Sequence, residues 1–161
     1  METLRVAVER SVDWPRLLGA VVPDNWPDPM LGEVLPLFLK MTNEDVRLAD
    51  WLIWSWISRM TVLPEKTLIG AGGFKNVPDS NGKVEIGCGV LAQFQGRGFA
   101  SEGIAGMVSH AFTLPAITAV YADTDRSNSG ARRALEKCGF VHIGPGEEPG
   151  TIRYEIHSGR A

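Results

Sequence analysis

The chain predicts a mixed α/β (α+β) fold, a central, mainly antiparallel sheet of about seven strands with helices on both faces. Three observations lead there. Three strand-like runs succeed one another between residues 54 and 91, joined by the turn sequences Leu63-Pro64-Glu65-Lys66 and Pro78-Asp79-Ser80-Asn81-Gly82, which is the pattern of an antiparallel meander. Beyond residue 98, stretches of helical and strand periodicity alternate. Eighteen glycines and ten prolines cut the chain into short elements, with no internal repeat and no low-complexity linker.

Taken in order, residues 4–8 alternate and predict a first strand. Val12, Leu17, Leu18 and Val21 fall near helical spacing behind a cap at Ser11 or Asp13, so residues 12–21 predict a helix. Residues 23–29 (PDNWPDP) are loop, because three prolines in seven residues forbid a helix. Residues 30–40 are apolar, interrupted by Pro36, and leave helix and strand open. Thr42 or Asn43 offers a cap and Glu44 and Asp45 an acidic first turn, so residues 42–51 predict a helix. Strands follow at 54–60, 67–74 and 83–91. Residues 98–112 place Ala100, Ile104, Met107, Val108, Ala111 and Phe112 on one helical face. A strand at 117–122, a helix at 128–138 closed by Gly139, and a hairpin of 140–143 with 151–157 complete the chain.

Length and composition narrow the function. The 161 residues fit one domain, 1–161, with a substantial core. A net charge of −3 gives no basic face for nucleic acid. No apolar run reaches the ~20 residues that span a bilayer. The opening METLRVAVER lacks a signal-peptide pattern, so a cytoplasmic protein without a membrane partner is expected. Cys88 and Cys138 are expected as reduced thiols, and with His110, His142 and His157 scattered, no metal site is expected.

The chemistry-bearing stretch is Gln95-Gly96-Arg97-Gly98-Phe99-Ala100, set between an apolar strand and a helix start. Successive N–H groups there face outward at the positive end of a helix dipole, and the glycines let a ligand approach the backbone. That is a site for phosphate oxygens. The loop lacks the G-K-[ST] ending of a P-loop and an obvious magnesium carboxylate, which disfavours ATP.

Four segments then share one pattern: Glu85-Ile86-Gly87, the loop from Phe94 to Ala100 with Q-x-x-G-x-A at Gln95, Gly98 and Ala100, the helix led by Asn128, and its ending Glu136-Lys137-Cys138-Gly139-Phe140. Together they resemble the GNAT superfamily of acyl-CoA-dependent N-acetyltransferases, and within it the ribosomal-protein N-terminal acetyltransferase subgroup. The resemblance covers residues 54–157 by motif and residues 1–50 by element order alone. It implies a GNAT-like fold, acetyl-CoA as acyl donor, and a primary amine, on a small molecule or a protein N-terminus, attacking the thioester directly. In that family the strand before the loop splays from the next strand and pairs with the pantetheine arm. The matching positions are Cys88, Gly89 and Val90. The N–H groups of Gly96, Arg97, Gly98, Phe99, Ala100 and Ser101, behind Gln95, are then the diphosphate site. Asn128 matches a residue that contacts the pantetheine region, Arg133 is placed to reach a phosphate, and a homodimer follows by analogy.

Glu85 shares a strand face with Gly87 and Gly89 and is the candidate general base. Its plainer reading is an ion pair with Lys75 or Lys83. The family's Tyr that protonates the leaving thiolate is Leu135 here, and the subgroup's Ser three residues after the Asn is Ala131. Ser129 and Tyr121 are the remaining candidate acids. Trp26, in the proline loop, is a candidate wall of the acceptor pocket. The missing acid motivates a second hypothesis, a non-catalytic acyl-CoA-binding or regulatory module on the same fold.

Overall fold

The computed structural model describes residues 14–59, 63 and 65–159, so the strand expected at 4–8 lies outside the described residues. The helices are α1 (Trp14–Leu18), α2 (Pro29–Glu44), α3 (Ala49–Leu52), α4 (Phe99–Ala111) and α5 (Ser129–Lys137). The strands are β1 (Trp54–Ile57), β2 (Leu68–Phe74), β3 (Lys83–Val90), β4 (Ala119–Asp125), β5 (Val141–Pro145) and β6 (Thr151–His157). Short 3-10 turns stand at Val46–Leu48 and Ala92–Phe94. These six strands form one sheet in the order β1-β2-β3-β4-β6-β5. β3 and β4 are parallel, whereas β6 is antiparallel to both β4 and β5. Bonds from Lys75 N–H to Glu85 O and from Leu91 N–H to Ile69 O set β2 antiparallel to β3. The mixed, mainly antiparallel sheet is the one the sequence predicts.

The chain divides into two compact units, residues 1–71 with 89–93 and residues 72–88 with 94–161. In the first, Leu35 and Leu68 are fully buried, and Trp26, Leu31, Phe38 and Ile57 pack against them. Helix α2 begins where Asp28 Oδ1 accepts the Leu31 N–H at 3.1 Å, with Pro29 in the first turn, where an N–H would lack a partner in any case. This settles residues 30–40 as helix, with Pro36 inside it.

The helix expected at 42–51 is not formed as such. α2 runs on through Thr42 and Asn43 to Glu44, because Thr42 is 1% exposed and its Oγ1 donates back to the Phe38 and Leu39 carbonyls, both at 3.0 Å. The break comes at Asp45, whose Oδ1 accepts the Arg47 N–H at 3.0 Å and starts the 3-10 turn. α1 ends at Leu18, short of the expected 21, where Gly19 turns left-handed at φ +59°; residues 12 and 13 lie outside the described residues.

In the second unit, α4 buries Phe99, Ile104, Met107, Val108 and Ala111, and α5 buries Ala134 and Leu135. Val84 and Ile86 of β3, Val120 of β4, and Ile152, Tyr154 and Ile156 of β6 are buried too. Removing each large apolar side chain from water contributes about 1.5–3 kcal/mol. Strand alternation sends Glu85, Tyr121, Asp123, Arg153 and Glu155 to the opposite face. α5 ends as expected at Gly139, φ +87°, where the Phe140 N–H returns to Leu135 O at 3.1 Å.

Candidate active site

The parallel ladder between β3 and β4 has three rungs, Lys83↔Ala119, Val84↔Val120 and Glu85↔Tyr121. It ends there, although β3 continues to Val90 and β4 pairs with β6 as far as Asp125↔Thr151. Ile86, Gly87 and Cys88 therefore have no rung to β4, and Ala122, Asp123 and Thr124 have none to β3. Two strands that part in this way offer main-chain donors and acceptors to an extended ligand, as an open sheet edge offers them to another strand.

The glycine loop lies next to this opening in the sequence. Gly96 and Gly98 are left-handed, φ +75° and +87°, and a Cβ at either would meet nothing within 4 Å. Gly98 caps α4 with no side-chain hydrogen bond, and the first helical bond is Glu102 N–H to Gly98 O at 3.1 Å. Among the described residues the N–H groups of Phe99, Ala100 and Ser101 have no acceptor. The positive end of a 13-residue helix thus faces open space. These features fit a diphosphate, the part of coenzyme A that the loop would hold.

Cys138 links the loop to the strand. Its Sγ donates to Ser101 O at 3.2 Å, and it neighbours Cys88. The Cys88 thiol reaches solvent but is ringed by protein atoms, and that desolvation, with Cys138 beside it, pushes it up to about 12. A thiol raised in this way carries little thiolate near neutrality.

On the polar face, Glu85 Oε1 meets Lys75 Nζ at 2.5 Å, and the Glu85 N–H donates to Asn76 Oδ1 at 2.7 Å. Tyr121 sits at the last rung opposite Glu85. Burial first, and the Glu85 charge second, raise its hydroxyl above the ordinary phenol value, so it keeps its proton. Arg153 stacks over the Tyr121 ring at 4.3 Å and grips Asp123 with two bonds of 2.7 Å. That grip holds the Asp123 carboxyl below the ordinary value. Lys83 Nζ and His157 Nε2 each lie 2.7 Å from the buried Glu155.

At the N-terminus of α5, Asn128 Oδ1 accepts the Ala131 N–H at 3.0 Å, a helix N-cap, a role Asn fills well. Its Nδ2 donor makes no bond among the described residues. Ser129 and Arg133 are exposed on the same helix. Leu135, where the family carries a Tyr, is 3% exposed and supplies no acid.

The second unit brings together Glu85 with Tyr121 and, through Cys138, Cys88 with Ser101. Gln95, Gly96, Arg97 and Gly98 are exposed. Gly89, Val90 and Trp26 belong to the first unit, where Trp26 packs on the Leu35–Leu68 cluster. Sequence reasoning missed Asn76, Asp123 and Arg153. The available signal was strand alternation, since Tyr121 and Asp123 on one strand and Arg153 and Glu155 on another share a polar face.

Residues 33–141 match the family model described as the acetyltransferase (GNAT) domain. The uncharacterized N-acetyltransferase YjdG of Bacillus subtilis (strain 168) is 26% identical over 126 residues, 77% of this chain and 71% of that protein. A spermidine N-acetyltransferase from Vibrio cholerae, solved with CoA and spermine, superimposes with a TM-score of 0.60 at 21% identity, over 78% of this chain and 76% of that one. AAC(6')-Ib, solved with paromomycin and acetyl-CoA, gives 0.55 at 22% identity, over 69% and 68%. At these identities the two structures show the fold alone. Some relatives are much longer than the matched segment, and the chain spans 36% of one of them. With the family model matched across most of its length, the chain belongs to the GNAT acetyltransferase family.

Proposed function

We propose that the chain is one acyltransferase domain that moves an acetyl group from acetyl-CoA to a primary amine by direct attack on the thioester. The observation that carries this is the end of the β3–β4 ladder at Glu85↔Tyr121, shortly before a glycine loop whose helix N-terminus has N–H groups without an acceptor among the described residues. When bound, acetyl-CoA supplies an activated acyl carbon. The N–H groups of residues 96–101 hold its diphosphate, and the unpaired edge at 86–88 lines its arm. Catalysis here is alignment plus proton handling. Glu85 accepts the ammonium proton, directly or through water, and Tyr121, still protonated, is the hydroxyl beside it.

The strand, loop and helix motifs support a place near the ribosomal-protein N-terminal acetyltransferase subgroup, so a peptide with a free N-terminus belongs in the acceptor panel. Spermidine and paromomycin join it, because similar folds have been solved with polyamine and aminoglycoside ligands. A second reading, a non-catalytic acyl-CoA-binding module, is favoured by the buried Leu135 and by Lys75 on Glu85. Calorimetry with acetyl-CoA and a thiol-release assay over this panel separate the two. Binding with turnover supports the enzyme, and binding without turnover on every amine supports the module. In the enzyme, Glu85→Gln should lower kcat by about 10²-fold or more with coenzyme affinity intact. An unchanged rate at every pH removes Glu85 as the base.

A further inference from the structure

We infer that Lys75 is a tethered competitor for the acceptor's ammonium group and so sets which amines gain access to Glu85. The inference rests on the reading of Glu85 as proton acceptor. Lys75 lies directly across the β2–β3 pair from Glu85, its own N–H bonded to Glu85 O at 2.8 Å. Its Nζ is in contact with Glu85 Oε1 at 2.5 Å. A primary ammonium on a flexible stem thus occupies the carboxylate that an incoming amine has to reach.

The neighbouring position on that face is Gly87. A Cβ there would stand 3.0 Å from Lys75 Cε and 3.7 Å from Cγ, so the lysine stem passes close over Gly87 and would have to give by only a few tenths of an ångström to a side chain there. The Lys75 charge also reaches β4, where it contributes to holding Asp123 ionised. Its side chain is nonetheless 49% exposed, against 13% for Glu85. The lysine is thus the more solvent-exposed partner and the carboxylate the more buried one, on a backbone whose Glu85 N–H is bonded to Asn76 Oδ1. An ion pair with one exposed end is weak enough to exchange. An acceptor amine that brings its own positive charge replaces Lys75 on Glu85 one for one. A neutral amine has nothing with which to displace it.

The test uses the full chain with its lysines reductively ¹³C-dimethylated, which keeps their charge, and Lys75→Arg to assign the Lys75 signal. Spermidine is titrated at fixed ionic strength, with a neutral polyol as control. The Lys75 resonance should move saturably with spermidine and not with the polyol. Spermidine affinity by calorimetry should rise roughly two- to fivefold in Lys75→Ala, stay low in Lys75→Arg, and lose the gain when Glu85→Gln is added. The inference is overturned if the Lys75 signal moves no more than that of exposed Lys66, or if Lys75→Ala binds spermidine no more tightly than the wild type. Coenzyme A binding is measured in the same samples. A chain that binds coenzyme with an unmoved Lys75 refutes the competitor and leaves the acetyltransferase reading standing. A chain that binds no coenzyme refutes that reading, whatever Lys75 does.

Discussion

Gly98 and Gly82 are both left-handed, at φ +87° and +74°, yet they answer different needs. A Cβ on Gly98 meets nothing within 4 Å, whereas one on Gly82 would stand 2.4 Å from the Ala116 carbonyl oxygen. Alanine at 98 therefore costs only the left-handed backbone, about 1–2 kcal/mol, while its methyl enters the space in front of the α4 N-terminus. Alanine at 82 adds a collision with main chain that cannot move aside. Gly98→Ala should weaken coenzyme A binding by more than its loss of stability explains. Gly82→Ala should be the more destabilised variant in urea, and the fraction that folds should bind coenzyme normally. Calorimetry beside equilibrium unfolding of both variants checks the pair, and equal losses of affinity would remove the loop from the coenzyme site.

Asp123 gives a residue-scale prediction in pH. The Arg153 guanidinium beside it, together with the Glu147 N–H at 2.8 Å, lowers its carboxyl below the unfolded value. A group whose folded value is depressed contributes stability above the unfolded value of about 3.9 and loses it as pH falls through the folded value. The Asp123 side chain is 10% exposed and that of Arg153 27%, so the pair is only partly screened. Asp123→Asn should cost about 1–3 kcal/mol near neutrality. Measured by thermal melts, the gap between wild type and variant should close as pH drops below about 4. A gap independent of pH would mean that Asp123 contributes by shape and not by charge.

At the scale of elements, α5 begins on a residue with two polar ends. Asn128 spends its Oδ1 on the Ala131 N–H and keeps its Nδ2 donor. Asp caps as well as Asn, and its charge suits the helix N-terminus, so Asn128→Asp should leave stability within about 0.5 kcal/mol. The same change replaces an amide donor with a carboxylate, and affinity for coenzyme A should fall about tenfold. Asn128→Ala should lose both, with about 1 kcal/mol of stability. If Asn128→Asp binds coenzyme unchanged, Asn128 is a cap and nothing more. The elements themselves were legible wherever one signal dominated. Gly139 as terminator, the alternation of β3 and the apolar stripe of α4 are each written in adjacent residues. The boundary at 42–45 was not, because Thr42, Asn43 and Asp45 are all competent caps, and burial of Thr42 against the preceding turn decided among them. The main-chain half of the candidate site was readable for the same local reason, through two glycines and a helix start. Its side-chain half was readable only in part: Lys75 was one of the two ion-pair partners the sequence offered for Glu85, whereas Arg153 meets Asp123 only through the β4–β6 register. Registers depend on strand partners far apart in sequence.

For the whole molecule, the candidate coenzyme groups other than Gly89 and Val90 lie within the unit of residues 72–88 and 94–161. They are the open edge at 86–88, the amides at 96–101 and the free Asn128 donor. A ligand that binds only the folded chain stabilises it by mass action, about 2.7 kcal/mol at a hundredfold excess over Kd. At this chain length that should raise the melting midpoint by about 5–10 °C. The stabilisation should also have an address. Hydrogen exchange with saturating coenzyme A should slow at residues 96–101 and at the amides of 86–88 that face the ended ladder, which would gain or border a partner. The amides of α2, already bonded within their helix, should show no comparable gain beyond the global shift in stability. Protection centred on α2, with the loop at 96–101 still exchanging freely, would place the coenzyme elsewhere and overturn the assignment of the diphosphate to the α4 N-terminus.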